Sequence, residues 1–257
     1  MHLIRIFLAV IVIALSAAPA YATVYQYFDE EGTLIVTDNL FGTKKPGPRP
    51  PSDDTNRDIK LSYRDDVSYD FYPVTGKDFP ELISSTNLNG PLDPVDRKKY
   101  AGQTKWKTGW SYTFNSSYTI DDTYLYADVD ILDIEFMSGI SVLLPVLQER
   151  TSLSNHDLIL WDHFVQRLLE HEHDHVKIVK NTVYKDEAVK KISSIKQLTV
   201  VYDPEVDPET LIKDAVESET LRIGHDLIMT IKKQNEEYDR LTEHGLKAEM
   251  RNTFFGR

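Results

Sequence analysis

The sequence contains no cysteine among its 257 residues. Disulfide bonds, cysteine nucleophiles and thiolate metal sites are therefore excluded, and any metal ion must be held by histidine, aspartate or glutamate. Basic residues are also in short supply, since 29 lysines and arginines face 41 aspartates and glutamates, for a formal net charge of −12. This balance argues against a nucleic-acid partner, because phosphate backbones are bound through clustered basic residues.

Long hydrophobic runs are scarce as well. The apolar stretch at residues 6–15 is too short to span a bilayer, for which about 20 residues are needed. It follows Arg5 and precedes small residues that end in Ala20-Tyr21-Ala22, which is the three-part pattern of a secretory signal. We therefore expect a signal peptide at residues 1–22 that is cleaved after Ala22. The mature protein is then exported, periplasmic or secreted, with no stable membrane anchor.

The chain after the signal divides into three parts by composition. Two short strand-like runs around an acidic turn at residues 29–32 predict a small β-hairpin module at residues 23–41. Residues 42–60 are rich in proline and charge and can bury little apolar surface, so we interpret them as a linker. Residues 61–257 form the predicted main domain.

The main domain changes from strand-like to helix-like patterns along its length. Alternation of apolar and polar residues predicts strands at residues 69–74, 104–114 and 124–136. Capping residues and apolar steps of three and four predict helices at residues 77–89, 155–192 and 208–241. A sheet followed by helices predicts an α+β domain.

The helix predicted at residues 155–192 carries the run His171-Glu172-His173-Asp174-His175. Both outer histidines continue its apolar stripe, whose members are Trp161, Phe164, Leu168, His171, His175, Ile178 and Thr182. A histidine pair at i and i+4 directs two imidazoles toward one point, as a zinc site on one helix requires. We interpret His171 and His175 as metal ligands and Zn²⁺ as the cofactor. The alternatives are a charged surface run and core histidines.

Glu172 completes a His-Glu-x-x-His motif with the two histidines. In such motifs the glutamate takes a proton from the metal-bound water, so Glu172 is the predicted catalytic residue and general base. His173 and Asp174 leave the apolar stripe, and we expect them to face solvent or to lie behind the ligands.

A third metal ligand must come from outside this helix, and three residues are candidates. Glu219 lies on the predicted apolar stripe of the helix at residues 208–241, as a buried ligand would. His244 and Asp239 lie in the run that ends this helix, where His244 beside Gly245 could turn back toward the first helix. The residues alone leave this choice open.

Several separated runs resemble one bacterial family, the domain of unknown function 922, whose members are predicted secreted zinc-dependent proteases. The resemblance covers about residues 69–255, and its runs are Tyr72-Pro73-Val74-Thr75-Gly76, Asn89-Gly90-Pro91, Ala101-Gly102-Gln103-Thr104-Lys105-Trp106, Trp110-Ser111-Tyr112, His171 to His175, and Tyr238-Asp239 with His244-Gly245. It implies metal-dependent peptide hydrolysis, with His171, Glu172 and His175 in the roles given above.

The family pattern includes the His-Gly run near its C-terminal end. The resemblance therefore favours His244 as the third metal ligand over Glu219, with Asp239 still open. One departure is Asp174, which stands where members usually carry a small residue and which places a charge near the metal. Separately, the N-terminal hairpin resembles the domain of unknown function 4124 at Tyr25, Tyr27, Asp29 and Gly32.

We therefore expect a zincin-like α+β domain, in which a twisted sheet supports an active-site helix and a second helix that backs it. The expected function is hydrolysis of peptide bonds in a peptide or protein substrate, which an edge strand within residues 124–136 would hold in extended form. The alternative is a non-catalytic exported module of the cell envelope that binds a metal or a protein partner. The sequence leaves the oligomeric state open.

Overall fold

The computed structural model describes residues 26–29, 34–36, 61–93 and 97–256. Its elements in chain order are β1 (Gln26–Asp29), β2 (Leu34–Val36), β3 (Ser68–Val74), α1 (Phe79–Asn89), β4 (Gln103–Ile120), β5 (Tyr124–Leu147), α2 (Asn155–Val179), α3 (Thr182–Ser193), β6 (Gln197–Val201), α4 (Pro208–Thr242) and α5 (Met250–Phe254). This is an α+β fold, as predicted. The predicted signal peptide and linker lie outside the described residues. None of the described helices has the length and apolar character needed to cross a membrane.

Six strands form one mixed sheet in the order β2-β1-β4-β5-β3, and β6 pairs with β5 off that path. The β3–β5 pair is parallel, and the other pairs among the described strands are antiparallel. The predicted hairpin forms from β1 and β2. Because β1 also pairs with residues 107–110 of β4, the hairpin extends the main sheet.

The two central strands are longer than predicted. β4 continues past residue 114 to Ile120, and β5 continues past residue 136 to Leu147. The added part of β4 is exposed and mostly polar, so it carries no apolar alternation that a sequence pattern would detect. Residues 124–128 of β5 pair with β6 as well as with β4, so this part of the predicted edge is covered. Residues 130–136 pair with β4 alone among the described strands, because β3 pairs only with residues 141–147.

A β-bulge changes which residues of β5 face the core. The register shifts between Ser111 and Thr113 of β4, and Asp133 on the partner strand has a φ of 50°. Before the bulge the buried residues of β5 are Leu125, Ala127, Val129 and Ile131. After it they are Ile140, Val142 and Leu144. One extra residue reverses the alternation, so both halves of this long strand contribute to a single core.

Capping residues set the ends of α1 and α4 where the sequence predicts them. The side chain of Asp78 accepts a hydrogen bond from the backbone N–H of Glu81, and α1 ends before Gly90. Asp207 accepts from the backbone N–H of Thr210, and a proline occupies the first turn of α4. These contacts satisfy N–H groups that have no partner within the helix.

The single helix predicted at residues 155–192 is instead two helices. Ser154 caps α2 as predicted, but α2 ends at Val179 and α3 begins at Thr182. The break has a local cause, because the side chain of Asn181 accepts a hydrogen bond from the N–H of Val183 and so starts a new helix. The motif at residues 171–175 lies wholly on α2.

A close contact between Gly224 and Trp110 fixes α4 against the sheet. Trp110 of β4 is completely buried, and its ring lies so close to α4 that a Cβ on Gly224 would be 1.8 Å from the nearest ring carbon. No larger residue fits there without movement of the helix or the ring. The position of α4 matters because this helix carries Asp239.

We expect Gly224→Ala to lower the free energy of unfolding by about 1–3 kcal/mol, because overpacking outweighs the better helix propensity of alanine. Thermal unfolding measures the effect. Ser218→Ala, at an exposed position of the same helix, is the matched control and should not lower the melting temperature. Equal melting temperatures for both variants would contradict the tight contact.

Candidate metal centre

One turn of α2 brings two imidazoles together. The Nε2 atoms of His171 and His175 lie 3.2 Å apart, and the side chains are almost fully buried. Their rings are nearly perpendicular, with centroids 4.7 Å apart. The sequence predicted this convergence, and the structure confirms it.

Asp239 of α4 brings a carboxylate oxygen to the same point. Its Oδ1 lies 3.1 Å from Nε2 of His171 and 3.0 Å from Nε2 of His175. Ligands of a tetrahedral metal ion with bonds of about 2.0 Å are about 3.3 Å apart, close to these separations. Within the described residues this oxygen is buried, and no donor outside the cluster forms a hydrogen bond to it. The three residues therefore fit a metal ion, and together they can hold one.

Asn235 orients the ring of His175. Its Oδ1 lies 2.7 Å from Nδ1 of His175, while its amide nitrogen donates to the backbone carbonyl of Ile231 at 2.9 Å. Because the amide nitrogen is engaged there, Oδ1 accepts from the imidazole, and Nδ1 carries the proton. The lone pair of Nε2 then faces the cluster, as metal binding requires.

Without a metal, the cluster forms a buried ion pair. Burial opposes charge on His175, but the carboxylate of Asp239 outweighs burial and raises the pKa of His175 to about 9. Burial likewise opposes charge on Asp239, yet the two histidines hold the pKa of its carboxyl well below the usual range. A metal ion would take the place of the proton on His175, so proton release should accompany metal binding.

Two residues at the start of β4 position Glu172. The hydroxyl of Thr104 donates to Oε2 of Glu172 at 2.6 Å. On the other side, a Cβ on Gly102 would lie 2.6 Å from Oε1, so a larger residue there would displace the carboxylate from its present position. Sequence reasoning missed both roles. The signal was present in the run Ala101-Gly102-Gln103-Thr104, which is one of the runs that resemble the family.

A cavity of about 530 Å³ opens beside the cluster. Its wall includes the three possible metal ligands, Glu172, and residues 100–104, which lead into β4. The side of the cluster that faces this cavity can therefore be reached by a molecule from solvent, and Glu172 lies in the same wall.

The two other candidates for the third ligand lie outside the cluster. Glu219 is half-exposed and pairs with Arg222, because Thr220 takes the buried position on α4 that the sequence assigned to Glu219. His244 lies at the cavity rim with Nδ1 3.7 Å from Oδ1 of Asp239. α4 ends at Thr242, so Asp239 is still on the helix and faces α2, whereas His244 belongs to the following turn. In the structure Asp239 takes the third position of the cluster, for which the resemblance favoured His244. Ligation by His244 stays a prediction, because its ring is not among the three groups of the cluster.

Asp174 is fully buried, so of the two expected positions the structure shows the one behind the ligands. Its carboxylate accepts hydrogen bonds from the hydroxyl of Tyr238 at 2.7 Å, from Lys177 at 2.6 Å, and from Arg251. The ring of Tyr238 stacks on His171, with centroids 5.1 Å apart. Asp174 thus lies behind the cluster and holds the ring of Tyr238, which in turn contacts His171.

His173 also lies behind the ligands. Its Nε2 is 2.7 Å from the hydroxyl of Tyr69, which itself accepts a hydrogen bond from the N–H of Arg64. Burial lowers the pKa of His173 to about 4, so this ring is neutral at neutral pH. His173 therefore connects α2 to β3 and is not part of the cavity wall.

A family model described as a bacterial protein of unknown function (DUF922) matches residues 69–245. The chain belongs to the DUF922 family. The matched range contains the cluster, Glu172 and the start of β4, and it ends at Gly245, which packs against the ring of His171. The search of the curated proteins gave no match, and neither did the search of the solved structures. The resemblance of the hairpin to domain 4124 stays a prediction.

We expect Asp239→Asn to weaken zinc binding by more than the roughly 10- to 100-fold that loss of an outer-shell partner costs, because it removes the charged ligand. His244→Ala should keep its zinc. Competition with a chromophoric chelator measures both affinities. Loss of zinc in His244→Ala with retention in Asp239→Asn would contradict the geometry and support the choice drawn from the resemblance.

In metal-free protein, we expect the free energy of unfolding to fall as pH rises from 6.5 through about 9. The raised pKa of His175 contributes stability that is fully present below the unfolded pKa of 6.5 and is lost as pH passes the folded value of about 9. The loss should be on the order of 1–3 kcal/mol. Urea unfolding in the presence of a chelator measures it.

His175→Ala should remove this pH dependence, whereas His225→Ala, at an exposed position of α4, should retain it. An identical slope in the wild type and in His175→Ala would rule out the buried ion pair as its cause.

Proposed function

We propose that this chain is an exported, zinc-dependent hydrolase of peptide bonds. The observation that carries the proposal is a cluster of three ligand atoms that borders an open cavity, with the buried carboxylate of Glu172 in the same wall. Structural zinc sites close their shell with four protein ligands, whereas catalytic sites use three and leave one position for water or substrate. The site thus favours catalysis over a non-catalytic metal-binding module.

Zinc is the ion that this donor set favours. Two imidazole nitrogens and one carboxylate oxygen are typical of catalytic zinc sites, and the separations of 3.0 to 3.2 Å suit its tetrahedral geometry. The helix that carries His171 and His175, packed beside a sheet and backed by α4, supports a zincin-like arrangement as part of this proposal.

Glu172 acts as the general base in the proposed mechanism. A bound zinc ion would supply Lewis acidity, which makes water more acidic and the substrate carbonyl more electrophilic. Glu172 removes a proton from the attacking water and later delivers it to the departing amine nitrogen. The hydrogen bond from Thr104 orients the carboxylate, and the missing side chain at Gly102 leaves room for it. The proton is therefore accepted at a defined position.

The start of β4 offers a surface for an extended substrate. Residues 103–106 pair with β5 on one side, while β1 pairs only with residues 107–110, so the other edge of residues 103–106 is open among the described strands. These residues lead directly from Gly102, and residues 103, 104 and 106 line the cavity. A peptide added along this edge would satisfy free backbone groups beside Glu172. This edge suits the proposal better than the one predicted in β5, because residues 103, 104 and 106 line the cavity.

We expect Glu172→Gln to lower peptide hydrolysis by about 10²- to 10⁴-fold, because the amide cannot accept the proton from water. Zinc content should stay at the wild-type level, since Glu172 is not one of the three ligands. Cleavage of a quenched-fluorescence peptide library by the zinc-loaded protein measures the effect. Glu187→Gln, on the exposed surface of α3, is the control. Equal cleavage by wild type and Glu172→Gln would refute Glu172 as the base.

A further inference from the structure

Three consecutive residues after α4 adopt the left-handed conformation. Glu243, His244 and Gly245 have φ values of 49°, 54° and 88°. This conformation is unfavourable for residues other than glycine, and here two such residues adopt it in succession. Residues in strained conformations persist where the surrounding structure holds them, and they are concentrated at functional sites.

Contacts on both sides hold this turn in place. The N–H of His244 donates to the carbonyl of Asp239 at 3.0 Å, and the N–H of Lys247 donates to the carbonyl of Thr242 at 2.8 Å. Gly245 packs against His171 so closely that an added Cβ would lie 3.1 Å from the ring. The turn is therefore fixed relative to the cluster.

The turn directs the side chain of His244 to the cavity. Its ring packs on Tyr100, with centroids 4.2 Å apart, and its Nδ1 lies 3.7 Å from Oδ1 of Asp239. The side chain is 46% exposed and lines the cavity. In the described part of the chain, neither ring nitrogen makes a hydrogen bond, so an N–H is free to bind a molecule in the cavity.

We propose that His244 is a catalytic residue that donates a hydrogen bond to the substrate carbonyl oxygen as negative charge develops on it. This inference rests on the proposed peptidase function. An imidazole has at least one N–H in either protonation state, so the role does not require a charged ring. A donor placed where charge develops stabilises the transition state more than the bound substrate.

The electrons and protons balance without transfer from His244. As the water oxygen bonds to the carbonyl carbon, its proton passes to Glu172 and the carbonyl π electrons move onto the carbonyl oxygen, which His244 binds. The electron pair on this oxygen then re-forms the carbonyl as the carbon–nitrogen bond breaks. The bonding pair of the broken bond leaves on the nitrogen, which takes the proton from Glu172 and departs as an amine.

A paired binding measurement tests this role separately from turnover. One probe is the peptide that the wild type cleaves fastest in the library, whose affinity is measured in the inactive Glu172→Gln background with and without His244→Ala. The other probe is the phosphonate analogue of that peptide, which carries tetrahedral anionic oxygens, measured on zinc-loaded wild type and His244→Ala by titration calorimetry. Leu246→Ala, at an exposed position beside the turn, is the matched control.

We expect His244→Ala to keep its zinc, to bind the phosphonate about 10²-fold more weakly, and to lower kcat/KM by a similar factor. Peptide affinity in the Glu172→Gln background should change little. Partial recovery in His244→Gln, which restores an N–H donor, would support the role further.

Three outcomes would overturn the role of His244. Loss of zinc in His244→Ala would show that His244 is a metal ligand. An equal loss of affinity for the peptide and the phosphonate would show that His244 is a ground-state or structural contact. Unchanged affinity for both probes would exclude His244 from the reaction. Failure of the proposed function looks different, because zinc-loaded wild type would then cleave no library peptide.

Discussion

The approach of one carboxylate oxygen on α4 to two imidazole nitrogens on α2 is the constraint on which the rest of the structure depends. Three polar atoms lie about 3 Å apart in a buried site, an arrangement that costs free energy unless a proton or a metal ion joins them. The position of α4 is therefore critical, and the Gly224–Trp110 contact fixes it against the sheet. Asn235 then orients His175 within the same helix pair.

The buried carboxylate of Asp174 explains how the chain supports this arrangement from behind. Tyr238, Lys177 and Arg251 satisfy Asp174, so its charge is neutralised away from the cavity. Arg251 belongs to α5, which lies beyond the residues that the family model matches. A segment outside the matched range thus compensates the buried charge of Asp174. Tyr238 links this network to the ring of His171 and precedes Asp239 in the chain.

Local sequence signals predicted the elements and half of the site. The caps at Ser154 and Asp207, and the spacing of His171 and His175, depend on a few neighbouring residues, and the structure confirms them. The helix break at Asn181 was missed because an apolar stripe can continue through a capped break. The choice among Glu219, Asp239 and His244 depends on which residues of the 35-residue helix α4 face α2 and on where this helix ends. Sequence spacing alone determines neither of these.

X-ray absorption spectroscopy at the zinc edge of the loaded protein tests the central claim most directly, because multiple scattering from imidazole rings counts the histidine ligands. We expect two imidazole nitrogens, one carboxylate oxygen and one further oxygen from water. A shell with three imidazoles would contradict the role of Asp239, and a closed shell of four protein ligands would contradict the open catalytic position.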